Sequence, residues 1–266
     1  MRKILVLLTV LAVLASCGPK EFTFVQMTDP QIGFGEKDVP HYPKSVARFA
    51  EAVSETNALR PSAVFITGDL VHSWNNPEQV RLYNEGIAGF SDKAPLWVVA
   101  GNHDMRPYND TTRAEYIERI GYDRFSTVIK GCAFIGFDSN CIKYGDETTA
   151  AEQFAWLEKE LQDAQKCRHR FLFTHFPVLL ESMTDVDEYF NFPAECRSRY
   201  VELFNKYNVD AIFSGHTHKS HYAKQGCTEF YNCGPVGHPL NGGVCGYNVV
   251  KVTKDGYSVE YVTLDN

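Results

Sequence analysis

Apolar residues in this chain fall into short runs, and between the runs lie longer stretches with helical spacing. Phe22 to Thr28 alternates and is apolar, which predicts a first strand. Ala63 to Thr67, Leu96 to Ala100, Arg170 to Thr174 and Ala211 to Ser214 are short continuous apolar runs, the pattern of strands buried on both faces. Pro43 to Leu59 places Val46, Phe49, Ala50 and Val53 on related faces of a helix. Pro77 to Phe90 predicts a second helix, with Pro77 suited to the first turn. Thr111 to Ile120, Thr149 to Gln165 and Ala194 to Tyr207 read as further helices. Ser126 to Ile129 and Cys132 to Asp138 form a hairpin around Lys130-Gly131. Thr228 to Cys233, Gly246 to Thr253 and Tyr257 to Leu264 read as a closing antiparallel run. Strands alternating with helices imply parallel pairing in the first two-thirds, with antiparallel strands added later. The economical arrangement is two mixed sheets face to face with helices outside.

The first residues do not belong to that pattern. Arg2 and Lys3 precede an apolar stretch from Ile4 to Val13, and Leu14-Ala15-Ser16-Cys17 follows with small residues. This is the form of a bacterial export signal over residues 1–16, too short for a comfortable membrane span. A Cys directly after Leu-Ala-Ser resembles a bacterial lipobox. Cys17 is therefore the expected lipidation site, residues 17–21 a short tether, and residues 22–266 one domain. The expected location is a bacterial cell envelope, periplasmic or surface-exposed, with membrane contact only through the lipid.

The 13% aromatic and 44% hydrophobic content provides a large core. A net charge of −7 and the lack of a basic run disfavour binding to a nucleic-acid backbone. Export permits disulfides among Cys132, Cys141, Cys167, Cys196, Cys227, Cys233 and Cys245. Seven is odd, so at least one stays free or pairs between chains. Buried free thiols are the equal alternative.

The chemistry sits just after the apolar runs. Asp29-Pro30-Gln31 follows the first, Gly68-Asp69 the second, and Gly101-Asn102-His103-Asp104 the third. His175 and Gly215-His216-Thr217-His218 follow the later two. Strand ends on one edge of a sheet converge, so two carboxylates, two amides and several imidazoles meet there. Asp29 and Gln31 can reach one metal, and Asp69 can bridge two. Asn102 offers an amide oxygen, and His175, His216 and His218 offer nitrogens. His103 is free to point at substrate, with Asp104 placed to orient it. His72 and Trp74 are candidate substrate contacts. Asp187-Glu188-Tyr189-Phe190-Asn191-Phe192 reads as an ordinary loop, with a lid as the alternative.

This set of motifs, in this order, resembles the calcineurin-like metallophosphoesterase superfamily over the whole chain after the signal. The Asp-Pro-Gln opening resembles the branch of calcineurin-like phosphoesterase domain-containing proteins, in which Gln stands where most members have His. The resemblance implies an α/β/β/α sandwich. It implies a first metal held by Asp29, Gln31, Asp69 and His218, and a second by Asp69, Asn102, His175 and His216. His103 would stabilise the transition state or protonate the leaving oxygen, with Asp104 its partner. Gln31 replaces a nitrogen donor by oxygen, which favours Mn²⁺, Fe or Mg²⁺ over Zn²⁺ at the first site.

The expected function is an exported phosphoesterase with two divalent metals, splitting a phosphate mono- or diester by attack of a metal-bridging hydroxide. Two such ions ~3.5–4 Å apart clamp the attacking and leaving oxygens and lower the water pKa to ~7. A phosphoprotein phosphatase and a non-catalytic metal-binding scaffold are the alternatives.

Overall fold

A computed structural model describes residues 21–186, 189–240 and 242–265. The signal segment and Cys17 lie outside the described residues. Strands β1 (Phe22–Met27), β2 (Val64–Thr67) and β3 (Leu96–Val99) run parallel at the centre and one edge of a five-stranded sheet. Strands β10 (Gly246–Val252) and β11 (Tyr257–Thr263) extend it on the far side of β1, both antiparallel.

The second sheet has six strands. Its four central members are parallel: β5 (Cys132–Gly136), β6 (Arg170–Phe173), β7 (Ala211–Ser214) and β9 (Thr228–Asn232). Antiparallel edges are β4 (Phe125–Ile129) and β8 (His221–Gln225). The closing antiparallel run expected from sequence is therefore divided: β9 joins the second sheet and pairs with β7 in parallel, while β10 and β11 complete the first.

The central strands β2, β5, β6 and β7 are largely apolar because both of their faces are covered. Alternate residues Phe24, Phe65, Phe134, Phe171, Phe173 and Phe213 turn inward and form the layer between the sheets. Phe24 is fully buried, with five ring neighbours at 5.2–6.2 Å. The intervening residues Val25, Val64, Ile66 and Val98 face outward onto Phe49 and Val53 of α1 (Pro43–Leu59), Tyr83 of α2 (Pro77–Ile87) and Tyr116 of α3 (Asp110–Ile120). Ile135, Leu172 and Ile212 pack on Leu157 and Leu161 of α5 (Glu147–Asp163) and on Tyr200 and Phe204 of α6 (Ala194–Lys206). The result is the expected four-layer α/β/β/α sandwich.

Helix starts follow local chemistry. Asn76, Asn109 and Asp146 cap α2, α3 and α5 through side-chain oxygens. Helix α1 lacks such a cap from Tyr42. Glu36, in the preceding loop, accepts from the Lys44 and Ser45 backbone N–H groups at 2.9 Å and from Ser45 Oγ at 2.6 Å. Sequence patterning missed two elements, β8 and the five-residue α4 (Asn140–Tyr144). Among the described residues Cys132, Cys141, Cys167, Cys227, Cys233 and Cys245 are free thiols.

Candidate metal centre

The parallel strands of both sheets end at one edge of the sandwich, and the site is built from the residues just beyond those ends. From the first sheet, β1 leads to Asp29 and Gln31, β2 to Asp69, and β3 to Asn102 and His103. From the second, β6 leads to His175, and β7 to His216 and His218. All seven expected ligands are 5% exposed or less, so water does little to satisfy them. Close approach depends on glycine. A Cβ on Gly101 would lie 2.1 Å from Asp69 Oδ1, and one on Gly68 would lie 2.5 Å from the Gly101 nitrogen. Five of the ligands, Asp29, Gln31, Asp69, His216 and His218, have φ between 33° and 72°.

Hydrogen bonding shows which atoms are left for a ligand. His175 Nδ1 lies 2.8 Å from the Thr67 carbonyl, which only accepts, so the proton is on Nδ1 and Nε2 carries a lone pair. That lone pair faces Asn102 Oδ1 at 3.1 Å and Asp69 Oδ1 at 3.4 Å. Asn102 is oriented by its own amide nitrogen, which donates to Tyr189 Oη at 3.0 Å. His218 repeats the pattern: Nδ1 donates to the His238 carbonyl, and Nε2 faces Asp29 Oδ1 at 3.3 Å. The other Asp29 oxygen is taken by Thr28 Oγ1 at 2.6 Å and the His216 backbone N–H at 2.9 Å. Asp29 Oδ1, Gln31 Oε1 and His216 Nε2 are buried with no hydrogen-bond partner.

Acceptors crowded against acceptors in a dry interior are unfavourable unless a cation or a proton lies between them. Ligand atoms of Asp69, His175 and His216 all fall within 4.8 Å of one another, a spacing that a single ion can span. Asp29, Gln31 and His218 crowd against the other side of Asp69, where Gln31 Nε2 donates to Oδ2 at 3.0 Å. The donor set therefore fits two divalent cations sharing Asp69.

Electrostatics agree. With protein charges alone, burial pushes the Asp69 carboxyl up to about 7, against the pull of His103. Burial, then the neighbouring His175, holds His216 well below the usual imidazole range and keeps it a neutral donor. Burial also raises Asp29, but the adjacent His218 and the Thr28 hydroxyl outweigh it and leave the carboxyl far below the usual range.

His103 is placed differently from the ligands. Its Nδ1 donates to the His72 carbonyl at 2.7 Å, which leaves Nε2 available, and its ring lies 5.0 Å from that of His72. The expected pairing with Asp104 is not formed. Asp104 is fully buried and accepts from the Leu70 N–H at 2.9 Å and the Gly101 N–H at 2.7 Å. It braces the two ligand loops against each other, and the His72 carbonyl orients His103 in its place. Burial, then the Asp69 charge, pushes Asp104 up to about 8.

His72 and Trp74 both line a cavity of about 350 Å³ that also includes His103 and Arg106. Trp74 is its buried backing wall, with the Arg119 guanidinium 4.5 Å over the ring. Sequence reasoning did not single out Phe34 or Arg106, and it reached Tyr189 only as part of the 187–192 loop, with a lid as the alternative. Tyr189 reaches Asn102 from a segment 87 residues away. The Phe34 ring stands 5.2 Å from both His72 and His218. Its place just after the Asp-Pro-Gln motif was the available signal.

The fold and this cluster define a class of metal-dependent phosphoesterases. Residues 22–220 match the family model for calcineurin-like phosphoesterases, and the chain belongs to that family. Serine/threonine-protein phosphatase CPPED1 of Danio rerio is 30% identical over 266 residues, covering 92% of this chain and 85% of that protein. The same protein of Rattus norvegicus is 29% identical over 265 residues, covering 92% and 84%. Among solved structures, a dimetal phosphatase from Danio rerio aligns with a TM-score of 0.67 at 14% identity, over 92% of this chain and 99% of that one. The purple acid phosphatase PPD1 of yellow lupin also aligns at 0.67, with 17% identity, over 92% and 52%.

Proposed function

We propose that this protein is a dinuclear metal-dependent phosphomonoesterase, exported and held in a bacterial envelope through a lipidated Cys17. One observation carries the enzymatic reading: imidazole lone pairs and carboxylate or amide oxygens face one another, buried, around a shared Asp69. Asp29, Gln31, Asp69 and His218 would hold one ion, and Asp69, Asn102, His175 and His216 the other. When bound, such a pair supplies Lewis acidity, attracting a phosphate and lowering the pKa of a water to ~7.

The chain's own residues do the rest. Thr28 and the His216 backbone N–H fix Asp29, and the Thr67 and His238 carbonyls fix the tautomers of His175 and His218. The His103 N–H holds one Asp69 oxygen at 2.8 Å and thereby couples the motif to the cluster. With Nδ1 committed to the His72 carbonyl, a protonated His103 would present its second N–H at Nε2 and deliver that proton to the departing ester oxygen. The serine/threonine phosphatase name of the relatives supports a monoester, including a phosphoprotein.

Chelation should abolish hydrolysis of a chromogenic aryl phosphate, and Mn²⁺ should restore it. Metal-loaded protein that turns over no phosphate ester would favour a scaffold. Export and anchoring rest on Leu14-Ala15-Ser16-Cys17. Mass spectrometry of native protein should find a diacylglyceryl Cys17; an intact Met1 terminus would sink that part.

A further inference from the structure

Next to Asn102 the surface opens into a second cavity, of about 380 Å³, on the other side of Arg106 from the one that holds His103. Asn102, Arg106, Tyr108, Tyr144 and Tyr189 line it. The three tyrosines come from separate segments: the loop after β3, the end of α4 and the loop after β6. Tyr144 and Tyr189 are 45% and 50% exposed, in a chain whose large aromatics are mostly buried. Among the described residues no carboxylate lines this cavity. Arg106 is exposed and makes no hydrogen bond or ion pair among the described residues.

Asn102 joins this cavity to the metal centre, since one end of its amide faces His175 and the other holds Tyr189. A group seated among the tyrosines therefore begins within one residue of the donors. Flat aromatic groups suit such a slot, through ring contacts and a guanidinium lying over a face. An aryl phosphate joins its ring directly to the ester oxygen. A nucleoside monophosphate places a ribose between the two and would carry its base past the slot.

We propose that this cavity is the leaving-group subsite and that it selects phosphate monoesters of aromatic hydroxyls, of which a phosphotyrosine side chain is one. The proposal rests on the phosphomonoesterase reading above. The reaction it serves forms a P–O bond from water and breaks the aryl O–P bond. One proton passes to the phenolate oxygen, and the products are a phenol and inorganic phosphate.

Calorimetry on Mn²⁺-loaded protein should find phenylphosphonate binding tighter than methylphosphonate by on the order of tenfold, since the two share one anionic head and differ by the ring. Tyr144→Leu and, separately, Tyr108→Leu keep bulk but lose the ring, and each should cut that advantage to about threefold or less. In turnover, benzyl phosphate should exceed cyclohexylmethyl phosphate in kcat/KM through a lower KM, and the same variants should narrow the gap. Equal affinity for the two phosphonates, or binding of neither, would overturn the subsite. So would adenosine 5′-monophosphate outcompeting phenyl phosphate. Ester turnover without aromatic preference removes the subsite and keeps the hydrolase. Preferred phenylphosphonate binding with no turnover of any ester does the reverse.

Discussion

At the scale of single residues, the proposed site separates groups placed to hold a cation from a group placed to move a proton. His103 lies outside the acceptor crowd, with Nδ1 fixed by the His72 carbonyl. His103→Ala should lower kcat by ~10²–10⁴, the usual worth of a positioned acid, while elemental analysis finds the metals retained. The loss should be smaller for nitrophenyl esters, whose leaving oxygen needs little protonation. His216→Ala should instead lower metal content, with activity partly restored by excess Mn²⁺. Equal metal loss in both variants would mean that His103 is structural. The ligands were legible in sequence because each follows an apolar run by one to four residues. Asp104 misled because adjacency suggested a partner for His103, whereas its oxygens turn back to the Leu70 and Gly101 amides. Tyr189 was legible only as part of a loop, because its link to Asn102 crosses 87 residues and no local spacing encodes it.

Elements were legible where periodicity ran long enough. Helices α1, α5 and α6 and the buried strands have clear patterns. Helix α4 is a single turn and a half, shorter than a periodicity window, and β8 is an exposed edge strand whose sequence His221-Tyr-Ala-Lys-Gln has one buried residue, Ala223. The start of α1 was half-legible. Pro43 announced it, but its cap comes from Glu36, outside the helix. Burial raises the Glu36 carboxyl, and hydrogen bonds from Ser45 and Lys44 outweigh it, so the folded pKa lies below its ordinary 4.5. A depressed folded pKa contributes stability above the unfolded value and loses it as pH falls through the folded one. Glu36→Gln should therefore cost about 0.5–2 kcal/mol near neutrality, and the difference from wild type should shrink below about pH 4.5. Chemical denaturation of both proteins at pH 7 and pH 4 measures it; a gap that widens in acid would refute the capping role.

At the scale of the whole molecule, the two-sheet sandwich was legible from alternation of strand and helix, and the sheet membership of β9 was not. Its hydrophobic pattern suits either sheet. What decides is pairing with β7, set by the turn through Gly226 and contacts of Asn205 with Cys227. Because both sheets end at the metal centre, a bound ion ties one to the other. Ligand binding to the folded state alone stabilises by about 2.7 kcal/mol at 100 times Kd. Melting should therefore shift upward by several degrees with Mn²⁺ and fall on chelation. The shift should be absent in a variant lacking both Asp69 and His175 side chains, and persistence of the shift there would place the ion elsewhere.

Five ligand residues sit in the left-handed region of backbone space, where a side chain costs roughly 1–2 kcal/mol relative to glycine. The catalytic rim is thus maintained against the chain's own conformational preference. Elsewhere in a protein, alanine usually beats glycine by ~0.4–1 kcal/mol, because glycine frees the unfolded chain. At position 31, with φ 33°, the order should invert: metal-free Gln31→Gly should melt above metal-free Gln31→Ala. The same inversion is expected at His218, with φ 54°. Glycine and alanine remove the donor alike, so the gap between the two variants reads the backbone strain held at this rim, separately from the loss of the ligand atom.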